Sequence, residues 1–159
     1  MGLGANLESA RGVTPRETLE AALDVLGCAG VAVEARSPWY LTAPVPRSDQ
    51  PDYVNGVARI SSTLSPESLL ALLHEVEDQF GRVRVERNEA RVLDLDLIDY
   101  RGDVREEGPV LLPHPRAAQR AFVLVPLRDL APEWRHPVTG EGIDALIARL
   151  PDMAGVRRL

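Results

Sequence analysis

The sequence predicts an α+β fold in which an antiparallel sheet is layered with helices in the order βαββαβ, with a helical appendage at the C-terminus. Three observations carry that expectation. Two segments repeat apolar residues at helical spacing behind a capping residue and a proline. β-type runs stand before, between and after them. The 13 Pro and 12 Gly are frequent in the connections. At 159 residues, 45% of them hydrophobic and 26% charged, the chain is long enough to bury a core as one domain over residues 1–159, without disulfide or metal staples.

Each element has its own justification. Leu3 to Ala5 reads as the end of a first strand. Thr14-Pro15-Arg16-Glu17 is a capping-box start with Pro at the first helical position, and Leu19, Ala22, Leu23 and Leu26 recur at helical spacing before Gly27. Residues 31–36 alternate weakly and read as a strand, Val54 to Ser62 as another, with a Pro-rich loop between them. Ser65-Pro66 opens the second helix, whose buried stripe is Leu69, Leu72, Leu73, Val76 and Phe80, ending at Gly81. Val92 to Tyr100 is a β-type run closed by an Arg101-Gly102-Asp103 turn. This is the order of a ferredoxin-like sheet. Beyond it, Pro113-His114-Pro115 reads as an extended turn, Ala117 to Leu130 as a helix broken at Pro126, and Gly142 to Leu150 as a short terminal helix.

Composition excludes several functions. The formal charge of −6 argues against a protein that works by neutralising a nucleic-acid backbone. No apolar run reaches bilayer length, and the first residues lack the basic start and apolar core of a signal peptide, so the expected setting is the cytoplasm, without a membrane. Cys28 is the single cysteine, which removes internal disulfides and, with 3 His, any Cys-rich zinc site. All 18 basic residues are Arg. Without Lys there is no Walker-A, Schiff-base or kinase-type lysine, and phosphate chemistry must use Arg, metal and backbone.

In Leu93-Asp94-Leu95-Asp96-Leu97 the strand period places the leucines on one face and both aspartates on the other, their Cβ atoms about 7 Å apart. Two carboxylates on an open face suit Mg²⁺ carrying waters and phosphate oxygens, although taken alone the pair reads more readily as a solvated strand face. Residues 82–91 hold four Arg against two Glu and lead directly into that strand, either as a phosphate clamp or as a solvated loop paired to Glu86 and Glu89. His114, fixed between two prolines and followed by Arg116 and Arg120, fits a phosphate donor or a structural turn. His74 and Glu77 share a helix face, where Glu77 by itself reads as a solvated helix acid. Tyr53 and Asn55 point the same way along a strand, a ring beside a two-way amide that suits a flat heterocycle, or else an ordinary half-buried strand start.

Taken in order, Gly4-Ala5-Asn6-Leu7, Tyr40-Leu41-Thr42, Asp49-Gln50-Pro51-Asp52-Tyr53-Val54-Asn55, Gly81-Arg82-Val83-Arg84, Arg91-Val92-Leu93-Asp94-Leu95-Asp96-Leu97, Pro113-His114-Pro115-Arg116 and Phe122-Val123-Leu124-Val125-Pro126-Leu127 resemble the 6-hydroxymethyl-7,8-dihydropterin pyrophosphokinases of folate synthesis. The resemblance covers residues 2 to about 137 and implies a ferredoxin-like fold. It implies an Mg-dependent pyrophosphokinase, a monomer acting on small molecules: the β,γ-pyrophosphoryl unit of ATP passes to the hydroxymethyl group of the dihydropterin and AMP leaves. By position, Asp94 and Asp96 would hold two Mg²⁺. Arg82 and Arg91 would stabilise the charge that moves, and His74, Glu77, Arg84, His114 and Arg120 would hold ATP. Thr42, Pro44, Val45 and Asn55 would border the pterin, stacked between Tyr53 and Phe122. The Arg-rich loop would close over ATP.

The chain departs from the family's pattern in places. Arg87-Asn88-Glu89-Ala90-Arg91 stands where the family usually reads Arg-Trp-Gly-Pro-Arg, keeping both end arginines. His74 replaces a Gln, and Pro109 and Leu111 stand where some members carry an Arg and a Thr. Two other classes stay open at this level. One is a pterin- or nucleotide-binding module with weakened catalysis. The other is a metal-dependent nuclease, which the net charge serves poorly.

Overall fold

The computed structural model describes residues 1–9, 12–45, 48–81, 92–151 and 155–159. Its elements run β1 (Gly2–Ala5), α1 (Pro15–Cys28), β2 (Ala32–Arg36), β3 (Tyr40–Thr42), β4 (Tyr53–Ser61), α2 (Pro66–Gln79), β5 (Asp94–Asp96), α3 (Ala121–Leu130), α4 (Ile143–Ala148) and β6 (Arg157–Arg158), with a 3₁₀ turn at Ala117–Gln119. The sheet is antiparallel at every pairing, in the order β5-β1-β4-β3-β6, with β2 paired to the far half of β4. This is a ferredoxin-like arrangement, with the longest strand, β4, at the centre and β1 between it and β5.

Both helices start as their sequences dictate. Thr14 caps α1, its hydroxyl accepting from Glu17 N while the Glu17 carboxylate accepts from Thr14 N at 3.0 Å, so two otherwise orphaned amides are satisfied reciprocally. Ser65 caps α2 through Ser68 N at 3.2 Å. Their apolar stripes, Leu19, Ala22 and Leu26 on α1 and Leu69, Leu73 and Val76 on α2, pack against Leu3, Ala5, Val54, Ala58, Leu93, Leu95 and Leu97 of the sheet. Leu72 and Phe80, expected inside, are only half buried at the margin of this core.

Three expectations need correction. Residues 40–42, expected within a loop, form β3, so the second strand of the βαββαβ order is one strand interrupted at Ser37-Pro38-Trp39. Pro38 has no amide to offer the ladder; Ser37 N still donates to Val57 O at 2.9 Å, and the Ser37 hydroxyl stands in for a strand carbonyl by accepting from Val57 N at 3.0 Å. Trp39 turns into the α1 layer, its indole N–H donating to Glu20 Oε1 at 3.2 Å and its ring lying where a Cβ on Gly56 would come within 2.7 Å. The β-type run 92–100 yields only the three residues of β5. Past it the chain leaves the ladder, and the Ile98 carbonyl accepts from His114 N at 2.8 Å instead. The helix break falls at Arg120, whose backbone is extended (φ −118°, ψ 110°), and Pro126 sits inside α3. The Pro126 ring deprives the Phe122 carbonyl of its helical donor, and burial of Val123 to Leu127 compensates.

The C-terminal helices form the expected appendage, and they pack on the sheet. Leu124 and Leu127 of α3 and Ile143 and Leu146 of α4 bury Val57, covering part of the sheet face opposite α1 and α2. The terminal strand β6, unexpected from the sequence, pairs with β3.

Candidate active site

Neighbours across an antiparallel ladder share a face of the sheet. Gly4 pairs with Asn55 on one side and Asp94 on the other, and Asn55 pairs in turn with Tyr40. Tyr40, Asn55, Gly4 and Asp94 therefore form one row across four strands. A second row holds Val57, Gly2 and Asp96. The leucines that alternate with the aspartates point the other way, Leu93, Leu95 and Leu97 being 0%, 1% and 5% exposed. The two-residue period placed both carboxylates correctly, and they are half buried on the face that α3 and α4 leave partly open.

Glu77 secures the carboxylate strand. Its side chain is fully buried under the sheet and accepts from Leu95 N at 2.7 Å, midway between the two aspartates. The sequence reading of Glu77 as a solvated helix acid is thus overturned. A buried carboxylate needs a strong donor, and β5, too short to hold itself, supplies a backbone amide. His74, one turn earlier on α2, is half buried.

Beside Asp96 stand a guanidinium and an imidazole. Arg120 Nη1 lies 3.5 Å and His114 Nε2 4.0 Å from Asp96 Oδ2. The His114 ring is oriented by its own turn: Arg116 N donates to Nδ1 at 3.1 Å, which puts the proton of the neutral ring on Nε2, toward Asp96. Burial pushes the His114 pKa below its ordinary value, the nearby Asp96 charge opposing the shift and Arg120 reinforcing it. The peptide bond before Pro113 is cis. The Arg120 guanidinium also lies 5.4 Å from the centre of the Phe122 ring. Residues expected to touch metal, nucleotide and heterocycle therefore meet in one place.

On the other flank, Asn55 and Thr42 are buried and joined, Asn55 Nδ2 donating to Thr42 Oγ1 at 2.6 Å. Tyr53, half buried, donates its hydroxyl to Gln50 Oε1 at 3.2 Å. Asn6, only 2% exposed, donates to the same Gln50 oxygen at 3.3 Å and to Pro51 O at 3.1 Å, pinning the loop that delivers Tyr53. Tyr40 donates to Asp129 Oδ2 of α3 at 2.5 Å, and burial and that carboxylate push its pKa up. Pro44 is buried, whereas Val45 is 70% exposed and encloses nothing among the described residues.

Asn6, Gln50, Tyr40 and Asp129 were not singled out as site residues. The first three lie within the motifs Gly4-Ala5-Asn6, Tyr40-Leu41-Thr42 and Asp49-Gln50-Pro51-Asp52-Tyr53, which was the available signal. Asp129 carried none. Arg82, Arg84 and Arg91, with the departures at Asn88, Glu89 and Ala90, lie outside the described residues. Pro109 and Leu111 are exposed.

Among the described residues no cluster of three His, Cys, Asp or Glu could cage a metal ion, and no helix is long and apolar enough to cross a membrane. Two carboxylates on an open face fit a hard cation that draws its remaining ligands from water and phosphate.

Comparison with known proteins identifies the family. The family described as 7,8-dihydro-6-hydroxymethylpterin-pyrophosphokinase matches residues 1–132. A 2-amino-4-hydroxy-6-hydroxymethyldihydropteridine pyrophosphokinase of Synechocystis sp. is 39% identical over 151 residues, covering 94% of this chain and 74% of that protein. The enzyme of the same name from Pseudomonas aeruginosa is 39% identical across 100% of this chain and 94% of its own length. That of Haemophilus influenzae is 38% identical over 86% and 83% respectively. With a match that takes in β1 through α3 and every described site residue, the chain belongs to the 7,8-dihydro-6-hydroxymethylpterin-pyrophosphokinase family.

Proposed function

We propose that this protein transfers the β,γ-pyrophosphoryl group of ATP to the hydroxymethyl group of 6-hydroxymethyl-7,8-dihydropterin, releasing AMP, as a step of folate biosynthesis. Family membership supports the reaction. The observation that carries its placement on the molecule is the row Asn55, Gly4, Asp94, which sets a heterocycle-reading amide and a carboxylate on one face across a single bare strand position. A binding module without catalysis is not favoured, because the relatives are named as pyrophosphokinases.

In this reading the pterin lies over the Thr42 and Asn55 pair. Pro44 and Val45 are at its border, and its ring stacks between Tyr53 and Phe122. Arg120 and the Nε2–H of His114 bind phosphate oxygens, with His74 and Arg84 completing the nucleotide contacts and Arg82 and Arg91 neutralising charge as it moves. Glu77 serves the nucleotide side by fixing β5. Asp94 and Asp96 would hold Mg²⁺, which when bound neutralises the triphosphate and fixes its geometry. The chain's own contribution is placement: the acceptor hydroxyl is held in line with the β-phosphorus, and the bond to the α-phosphate oxygen breaks as the new one forms. The same proposal has the protein act as a cytoplasmic monomer on small molecules.

The test is AMP formation from ATP, 6-hydroxymethyl-7,8-dihydropterin and Mg²⁺ by the folded protein. Absence of AMP above an enzyme-free control would overturn the proposal.

A further inference from the structure

Gly4 sits on β1 between β4 and β5 in ordinary strand conformation, so no unusual backbone angle calls for glycine there. Space does. A Cβ built on Gly4 would stand 2.8 Å from Asn55 Oδ1, closer than such atoms approach. Asn55 has little room to yield. It is 6% exposed, and its Nδ2 is already committed to Thr42 Oγ1 at 2.6 Å, a bond that rotation of the amide away from Gly4 would break. The Oδ1 atom thus overhangs bare backbone between β4 and β5, with its carbonyl presented to the face that also carries Asp94.

We infer that Gly4 is the positioning residue for the acceptor: its missing side chain lets Asn55 hold its amide between Thr42 and the open face, where Oδ1 can accept from a ring N–H of the heterocycle. The inference rests on the pyrophosphokinase reading for the identity of that heterocycle. Its geometry does not. Any side chain at position 4 pushes the amide off Thr42, and because no Asp94 atom lies within 4 Å of such a Cβ, the loss falls on the acceptor and spares the nucleotide. A buried amide with one bond broken is costly to both stability and recognition.

The experiment compares Gly4→Ala, Asn55→Ala and the double variant with the wild type. In Gly4→Ala, affinity for 6-hydroxymethyl-7,8-dihydropterin by calorimetry should fall by about tenfold or more, while affinity for ATP with Mg²⁺ stays within about twofold. In the Asn55→Ala background the second substitution should add less than about twofold, because the atom it displaces is gone. Pterin binding by Gly4→Ala equal to wild type, or a full additive penalty in the double variant, overturns the inference. Should Gly4→Ala fail to fold, the double variant must regain the wild-type far-ultraviolet spectrum, and its failure to do so is equally fatal.

An amide signal separates this inference from the function itself. The Asn55 side-chain NH₂ resonances, identified by their loss in Asn55→Ala, should shift in Gly4→Ala and in Thr42→Val. If the wild type makes no AMP and those resonances still shift, the reaction is wrong and the positioning stands. If AMP is made and the resonances do not move in Gly4→Ala, the positioning is wrong and the reaction stands.

Discussion

The two flanks of β1 are built differently. On the β4 side the polar groups are already bonded to one another, Asn55 to Thr42 at 2.6 Å, Asn6 and Tyr53 to one Gln50 oxygen, Tyr40 to Asp129. On the β5 side the bonded amides and hydroxyls give way to ionisable groups, Arg120 Nη1 and His114 Nε2 lying 3.5 and 4.0 Å from Asp96 Oδ2 with side chains 19–35% exposed. A neutral heterocycle is recognised by amides and hydroxyls that must be oriented beforehand, since a misdirected amide reads nothing. A polyphosphate brings its own charges and is met by ionised side chains rather than by oriented neutral amides. On the proposed reading the acceptor flank is therefore preformed, and the donor flank is an electrostatic reserve.

Substitutions can break that comparison. The largest effect is expected at the reserve: Asp96→Ala should slow AMP formation by about 100-fold or more, roughly 3 kcal/mol, with pterin affinity by calorimetry unchanged. An unchanged rate would return the carboxylates to a solvated strand face. Next, Glu77→Ala leaves the Leu95 amide buried without its acceptor and should cost about 2 kcal/mol in urea unfolding, with turnover falling because β5 loosens. If stability falls and turnover does not, the placement of β5 is less demanding than the contact suggests.

On the preformed flank, Asn55→Ala should weaken pterin binding by about tenfold, near 1.4 kcal/mol, and leave the ATP affinity alone. Equal losses for both ligands would erase the distinction between flanks. The smallest effect belongs to Tyr40→Phe, about 1 kcal/mol of stability, because Asp129 on the exposed turn of α3 can be solvated once its donor is gone. A larger loss would mean that this bond holds β3 in register.

These flanks were unequally legible in the sequence. Periodicity alone placed Asp94 and Asp96 opposite buried leucines, because a strand's alternation is a local property. Capping and apolar spacing likewise gave α1 and α2. What periodicity missed is long-range: Asn6 reaching Gln50 across 44 positions, Tyr40 reaching Asp129 across 89, and Glu77 folding inward to serve a strand 18 residues on. An acid on a helix face looks solvated until the strand it supports is in place. Pro126 misled for a related reason, since burial of its neighbours outweighs a missing helical bond. The interruption at Pro38 was read as an end of structure because a side chain, Ser37, stands in for the backbone there.

The chain has 2 Trp, and the fold gives one to each side of the sheet. Trp39 is wedged against Gly56 in the layer under α1, while Trp134 donates to Asp99 Oδ2 at 2.8 Å beside the α3 and α4 cluster. Each layer therefore carries its own intrinsic fluorophore. In single-tryptophan variants, coincident emission changes on denaturation would mean that the sheet transmits unfolding from one layer to the other, and separated changes that the two layers melt as independent units.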